Sequence, residues 1–167
     1  MSDIAKAAGI SRQALYLHFP NRADLLIATT QYLDQVKDID ARLAASRSAA
    51  TGVARLDAFI AAWGNYIPEI WGVARALMAM EDSDESARLA WANRQQAVRE
   101  GCEAAVRALT RDGQLSPDFT PEQATDLLWT LLSVRNWESL TQVCGWSQSA
   151  YVETTTSLAH AALIRSA

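Results

Sequence analysis

The chain has 167 residues, of which half are apolar and a fifth are charged, and its net charge is −4. This length suits one domain, or a small head on a larger helical body, and the composition is sufficient to bury a core. No apolar run approaches the length of a membrane span, and the N-terminus has no uninterrupted apolar core typical of a signal peptide. We therefore expect a cytoplasmic protein with a reducing surrounding, in which Cys102 and Cys144 are buried thiols.

The charge is distributed unevenly along the chain. Residues 1–47 carry a net charge of +1, whereas residues 48–167 carry −5. Between Ile10 and Ala23 there is no acidic side chain, and the charged residues in this stretch, Arg12 and Arg22, are both positive. The acidity therefore belongs to the body of the chain and does not oppose a nucleic-acid partner for its N-terminal part.

The pattern of residues predicts an all-α fold, because alanine is abundant and alternating apolar–polar runs are absent. A short helix over residues 2–8 ends at Gly9, and Ser11 is a suitable N-cap for a second helix to about His18. Asn21 caps a third helix that continues at helical spacing to Leu43. A joint is expected at residues 46–51.

The remaining helices are predicted from their caps and breakers. Pro68 is expected to interrupt the helix that begins near residue 52, and Asp112-Gly113 is expected to stop the longest helix. Thr120 and Pro121 suit the start of the next helix, and Gly145 suits its end. The predicted body helices cover residues 52–66, a shorter stretch to about Met80, 84–111, 121–143, and a last helix that begins at Ser147 or Ser149.

The first two helices are joined around one glycine, which is typical of a helix-turn-helix. Ala5 lies where the helices cross, Gly9 suits a left-handed turn, and Leu15 fills the shared core. The second helix then exposes side chains that contact base edges and phosphates in the major groove. The spacing alone also occurs in ordinary helical hairpins. The candidate DNA-binding residues are Ser11, Arg12, Gln13, Tyr16, Leu17, His18 and Arg22.

The stretch IAKAAGISRQALYLHFPNRADLL resembles the DNA-binding head of TetR-family transcriptional regulators. The resemblance is dense over residues 1–26 and rests on helical layout beyond them. It implies a bacterial, homodimeric repressor that is released from a palindromic operator when a small molecule binds its body. It divides the chain into a head and connecting helix, residues 1–45, and a helical-bundle domain for ligand binding and dimerisation, residues 46–167. Arg22 stands where the family usually has lysine, and it keeps the charge.

The sequence departs from this family at its N-terminus. Family members normally have a helix before the pair, whereas this sequence begins at the second helix of the head. We expect the sequence to be a shortened version of a longer protein. An apolar set that includes Ile4, Ala8 and Phe19 then lacks its cover, and we expect this chain alone to bind operator DNA weakly or not at all.

The body contains all six tryptophans of the chain. Aromatic side chains line many cavities for flat or greasy small molecules, but large rings also fill helical cores, and both interpretations remain open here. The candidate ligand-binding residues are Trp63, Tyr66, Trp71, Arg75, Met78 and Trp91.

The predicted helix over residues 121–143 is apolar on at least two faces. One face can pack on the core of the body, and the other needs a second protein surface. A two-fold four-helix interface satisfies this need and matches a palindromic DNA site. The candidate dimer-interface residues are Trp129, Leu132, Leu140, Val152, Ala159 and Leu163.

The sequence gives little support for an enzyme or a metal protein. We find no HExxH, no glycine-rich phosphate loop and no supported Ser–His or Cys–His pair, and the acidic stretch 81–86 has no calcium-loop spacing. We therefore predict no catalytic residues, no metal and no cofactor. Two alternatives to a ligand-responsive regulator stay open. One is a dimeric helical ligand-binding module that does not bind DNA, and the other is a different helix-turn-helix protein such as a recombinase head.

Overall fold

The structure, a computed structural model, describes residues 1–165 and confirms the all-α fold. Residues 166 and 167 of the predicted second domain lie outside the described residues. Within residues 1–165, β-type pairing is confined to an isolated antiparallel bridge between Leu115 and Ile164. The helices are α1 (Ser2–Ala7), α2 (Arg12–His18), α3 (Arg22–Val36), α4 (Ile39–Arg47), α5 (Gly52–Met80), α6 (Glu85–Arg111), α7 (Pro121–Leu131), α8 (Val134–Glu138) and α9 (Gln148–Leu163), with a π-helical turn (Ser139–Val143) after α8.

Local capping chemistry sets most of the helix starts. The Ser11 hydroxyl accepts the Ala14 N–H at 3.0 Å, and the Asn21 side chain accepts the Asp24 N–H at 2.9 Å. Thr120 forms a complete capping box with Gln123 at the start of α7, and Ser147 caps α9. These starts are the ones predicted from the sequence. No helix within the described range combines the length and the apolar character of a membrane span.

The predicted third helix is divided in two at Asp38, which corrects the expectation of one helix to Leu43. Asp38 has a φ of 54°, in the left-handed region, and its carboxylate accepts the Ala41 N–H at 3.4 Å. Aspartate tolerates this region better than most residues with a Cβ. The chain therefore leaves the helical conformation after α3, and Asp38 is the N-cap of α4.

Pro68 does not interrupt the chain's longest helix, and this also corrects the sequence prediction. α5 runs unbroken from Gly52 to Met80 with Pro68 inside it. Proline cannot donate the hydrogen bond that the Gly64 carbonyl would normally accept. The Gln148 side chain supplies it instead, with its Nε2 donating to the Gly64 oxygen at 2.8 Å. Ile67 and Leu77, on either side of the proline, are buried and hold the helix to the core.

The predicted helix over residues 121–143 is also not continuous. α7 ends at Leu131, and the Ser133 hydroxyl accepts the Asn136 N–H at 3.2 Å to start α8. Serine competes with helical backbone bonding and favours caps, which explains the break inside an apolar stretch. The π-helical turn follows α8 directly, and Gly145, with a φ of 75° in the left-handed region, lies in the turn before α9.

Two buried clusters form the core of the body. The first joins α5, α6, α7 and α9 and includes Leu56, Leu109 and Leu128. The second lies nearer α8 and includes Ile67, Trp91 and Trp137. Cys102 is buried in the first cluster, where burial raises the pKa of its thiol to about 12. Cys144 is exposed, which corrects the expectation that both thiols are buried.

The helix α3 connects the head to the body by packing along α6. Its Leu26 and Ile27 contact the second core cluster. The first residue of α3, Arg22, forms an ion pair with Asp84, the N-cap of α6. Asp34, near the other end of α3, pairs with Arg94 of α6. The head is therefore linked to the body through a helix that is fastened at both ends.

Candidate DNA-binding head and body cavity

The two helices of the head meet around small and apolar side chains. Ala5 and Leu15 are buried between them, and Gly9 turns the chain with a φ of 67°. A larger residue at Ala5 would separate the helices, and a Cβ at Gly9 would be strained. The arrangement is the helix-turn-helix that the spacing predicts.

One face of α2 is left to solvent. Arg12, Gln13, Tyr16, Leu17 and His18 are all exposed, and Leu17 is 79% exposed. The Arg12 guanidinium lies 5.4 Å from the centre of the Tyr16 ring, and its nitrogen is 3.5 Å from the phenol oxygen. This face offers donors for base edges and phosphates and an apolar group for a thymine methyl. Ser11 acts as the helix cap and is also exposed.

Arg22, the remaining candidate for DNA contact, is placed differently. Its guanidinium donates to Asp84, whose other carboxylate oxygen accepts the Ala87 N–H at 3.2 Å at the start of α6. Local sequence patterns do not predict this pair, because 62 residues separate the partners. In this structure Arg22 contacts the body of the protein.

The sequence of the head identifies its relatives. Residues 1–29 match the sequence model of a family described as bacterial regulatory proteins, tetR family. We call these residues the TetR-type head, after the family model that they match. None of the proteins with curated function gives a significant match to the sequence. The match to the family model confirms the resemblance drawn from the residues.

Solved structures extend the likeness from the TetR-type head to the whole fold. A Rhodococcus sp. protein described as a TetR-family transcriptional regulator matches with a TM-score of 0.73 and 20% identity, over 97% of this chain and 86% of that one. A member of the TetR transcriptional regulator family from Streptomyces coelicolor A3 matches with a TM-score of 0.54 and 20% identity, over 95% and 78% of the two chains. At this identity the likeness shows a common fold.

A cavity of about 400 Å³ lies in the body behind the TetR-type head. Its walls come from α3, α4, α5 and α6, and its volume is in the range of small-molecule sites. Trp63, Tyr66 and Trp91, three of the candidate ligand-binding residues, line it.

Three of the candidate ligand-binding residues do not line the cavity, and the structure corrects their assignment. Trp71 packs against Trp137 with their ring centres 5.4 Å apart. Arg75 is exposed to solvent, and Met78 packs against the second core cluster. None of the three is among the α5 side chains that line the cavity.

A polar corner of the cavity was not foreseen from the sequence. We use this name for Asp34 of α3, Tyr66 of α5 and Arg94 of α6, all of which line the cavity. The Tyr66 phenol donates to Asp34 Oδ1 at 2.6 Å, and Arg94 Nη1 donates to Asp34 Oδ2 at 2.7 Å. Burial and the bond to Asp34 raise the pKa of Tyr66 well above its usual value, so the phenol keeps its proton.

Further ionic contacts hold the end of α3 against α5. Glu69 lies 2.7 Å from Arg42 and 3.3 Å from Lys37, and its hydrogen bond with Arg42 holds the pKa of this carboxyl below its usual range. The Arg42 guanidinium also lies 5.6 Å from the centre of the Tyr66 ring. The turn between α3 and α4 is therefore fixed to the same face of α5 that forms the polar corner.

The candidate dimer-interface residues divide into two groups. Leu132, Ala159 and Leu163 are fully buried in the chain's own core, so they have no surface to offer a partner, and their assignment is corrected. Trp129, Leu140 and Val152 are half-buried. Val143, on the second apolar face of the helix predicted over residues 121–143, is exposed in the π-helical turn, and Trp146 and Leu158, which were not candidates, are exposed as well.

No cluster of three or more His, Cys, Asp or Glu side chains suitable for a metal ion occurs among the residues that the structure describes.

Proposed function

We propose that this protein is a ligand-responsive transcriptional regulator that acts as a homodimeric repressor in the cytoplasm. Its partners are double-stranded operator DNA of palindromic sequence, a small apolar or aromatic effector, and a second copy of the chain. The observation that carries the proposal is the exposed α2 face of a TetR-type head, which includes Arg12, Gln13 and Tyr16. The division at residue 45 between head and body belongs to the same proposal.

The path from cavity to head supports the response to a ligand. Three residues separate the end of α2 from the start of α3, and the last turns of α3 form a wall of the cavity through Thr30, Leu33 and Asp34. A ligand that binds better to one position of α3 shifts the population toward that position. The two recognition helices of a dimer then change their separation and fit a palindrome less well.

The surface after α7 supports the proposed dimer. Leu158 is 52% exposed and Val143 is 79% exposed, although both are apolar and neither takes part in the chain's own core. Half-buried Trp129, Leu140 and Val152 are in the same C-terminal part of the chain. A second copy that covers this surface removes apolar area from water and provides the second recognition helix.

The proposal is tested by selecting duplexes from a random pool with the wild-type chain and measuring their binding by fluorescence anisotropy. The double variant Arg12→Ala/Tyr16→Ala should lose about 100-fold in affinity, because it removes one base-edge donor and one phosphate contact. A matched control is Arg88→Ala/Tyr32→Ala, which removes the same residue types from exposed positions on α6 and α3.

Two outcomes contradict the proposed function. In the first, the wild type enriches no palindromic sequence even at low salt and micromolar protein, conditions that retain the weak binding expected of this chain. In the second, the α2 variant and its control bind the selected duplex equally well.

A further inference from the structure

The polar corner joins three helices through one carboxylate. Asp34 is contributed by α3, and its two oxygens accept from Tyr66 on α5 and from Arg94 on α6. Both side chains of the Arg94–Asp34 pair are mostly buried, with 20% and 28% exposure. Tyr66 and Arg94 are thus two strong hydrogen-bond donors at the cavity wall. Their present acceptor, Asp34, belongs to α3, the helix that connects the body to the head.

The charged groups that line the cavity are balanced, so the preference for an anion rests on the donors of the polar corner. The lining contains the cations Arg47, Arg55 and Arg94 and the anions Asp34 and Glu100. Arg94 pairs with Asp34, and Arg47 pairs with Asp40. Among residues 1–165, Arg55 has no carboxylate and Glu100 has no cation within 4.0 Å, so these two charges offset each other across the lining.

The rest of the wall is apolar and aromatic. Phe59, Trp63 and Trp91 contribute rings, and Leu33, Leu77 and Val98 contribute aliphatic surface. Such walls bind a flat or greasy body by removing it from water, while a few polar groups fix its orientation. The cavity therefore combines apolar walls, which suit the apolar part of a ligand, with fixed hydrogen-bond donors for one charged end of that ligand.

We propose that the effector of this cavity is an organic carboxylate with an apolar body, whose carboxylate replaces Asp34 on Arg94 and Tyr66. The inference rests on the ligand response proposed above and adds the chemistry of the ligand. Guanidinium and phenol donors bind a second carboxylate as they bind the first, and an arginine fork suits a planar carboxylate.

The displaced Asp34 has a place to go. It also lines an open groove on an adjacent face of α3, together with Gln31, Gln35, Asp38 and Asp40. There its carboxylate would contact water rather than stay unpaired inside the protein, and solvent would screen its repulsion by the two neighbouring carboxylates. α3 then loses its bonds to Tyr66 and Arg94, and the ligand's chemistry is coupled to the position of the head.

The experiment uses three probes with one shape and different charge: 2-naphthylacetic acid, 2-naphthylacetamide and 2-(2-naphthyl)ethylamine. Their binding to the full chain is measured by isothermal titration calorimetry at pH 7.5. The acid should bind at least about tenfold more tightly than the amide, because a charged carboxylate can replace the two charge-assisted hydrogen bonds that Asp34 gives up, whereas a neutral amide oxygen is a weaker acceptor. The amine should bind more weakly than the amide.

Variants of the polar corner then test the exchange itself. Asp34→Asn should tighten binding of the acid about tenfold, because it replaces the competing charged carboxylate by a weaker neutral acceptor. Tyr66→Phe should weaken the acid severalfold and leave the amide almost unchanged, since it removes one donor. The matched control is Asp126→Asn. Asp126 pairs with Arg99 at 2.5 Å, and neither residue lines the cavity.

Each result decides the inference separately from the DNA-binding function. Equal binding of acid and amide, or no binding of the acid, overturns it. Weaker binding of the acid by the Asp34→Asn variant than by the wild type also overturns it. Tighter binding of the amine than of the amide overturns it too, because the ligand's partner would then be Asp34 itself. The acid-to-amide ratio is taken within each variant, so a loss of stability in one variant does not imitate the effect. The duplex-binding assay on the wild type reports independently on the proposed regulator function.

Discussion

At the scale of single residues, the side chain of Gln148 completes a helix to which it does not belong. Its Nε2 donates to the Gly64 carbonyl that Pro68 leaves without a backbone donor, and its Oε1 accepts the Trp137 Nε1 at 2.8 Å. One amide therefore satisfies groups on α5 and α8 from the first position of α9. Polar groups of this kind are expensive to leave unpaired once water is excluded.

Gln148→Ala should lower the free energy of unfolding by about 1–3 kcal/mol, because it removes two hydrogen bonds and leaves a partly buried carbonyl and an indole N–H without partners. Chemical denaturation followed by circular dichroism measures this change. The control Gln96→Ala removes an exposed glutamine that bonds only to Glu100 and should change stability by less than about 0.5 kcal/mol. Equal effects of the two variants would show that the amide bridge contributes nothing specific.

At the scale of helices, α5 and α6 approach each other through glycine. A Cβ added at Gly52 would lie 2.6 Å from the backbone of Ala108 and Leu109, and one added at Gly101 would lie 2.5 Å from the Phe59 ring. The Gly52 N–H also donates to Asp112 at 2.6 Å, and Arg111 together with this bond holds the pKa of Asp112 below its usual range. Backbone contact at this point cannot adjust to an added atom in the way that a flexible side chain can.

Gly52→Ala and Gly72→Ala should have opposite effects on stability, although both lie on α5. Gly52→Ala should cost about 1–3 kcal/mol through overpacking. Gly72→Ala should gain about 0.5–1 kcal/mol, since a Cβ there meets no atom of the described residues within 4 Å and alanine is the better helix former. Thermal or denaturant unfolding of both variants checks the sign, and a neutral Gly52→Ala would disprove the close approach.

At the scale of the whole molecule, apolar surface remains uncovered where the sequence places a dimer. The half-buried Trp129, Leu140 and Val152 stay in the proposed interface, whereas Leu132, Ala159 and Leu163 belong to the core of one chain. Leu158 and Val143 take their place as exposed apolar groups. The proposed interface is thus shifted along α9 and the π-helical turn relative to the sequence prediction.

The wild-type chain of 18.3 kDa should have twice this mass by light scattering at micromolar concentration. Leu158→Glu should shift it toward the monomer, because a carboxylate would be buried without a partner at the interface. Leu89→Glu is the matched control, since Leu89 is a similarly exposed leucine on α6 outside the proposed interface. A monomeric wild type, or dissociation by both substitutions alike, contradicts the proposed dimer surface.

The sequence predicts best what depends on near neighbours along the chain. The helix-turn-helix around Gly9 and the caps at Ser11 and Asn21 follow from residues a few positions apart, and the structure confirms them. Of the six residues selected for a ligand site from the aromatic content of the body and the resemblance, Trp63, Tyr66 and Trp91 line the cavity.

Features that depend on distant partners escaped prediction. The continuity of α5 through Pro68 needs a donor 84 residues from its acceptor, and the polar corner needs Asp34 and Arg94, which are 60 residues apart. The cap at Ser133 turns the chain before α8 and changes which apolar side chains face the core. No local pattern records these relations, because they arise when α3 packs on α6 and α9 packs on α5.

The two ionic attachments of α3 also make it a lever. Arg22 and Asp34 are twelve residues apart on one helix, a distance of about 18 Å at 1.5 Å per residue. A tilt of about 5° around one attachment therefore moves the other by roughly 1.6 Å at this length. The motion would add from both halves of a two-fold assembly. A rearrangement of one carboxylate at the cavity is thus enough, by length alone, to displace the recognition helices on the scale of a hydrogen bond.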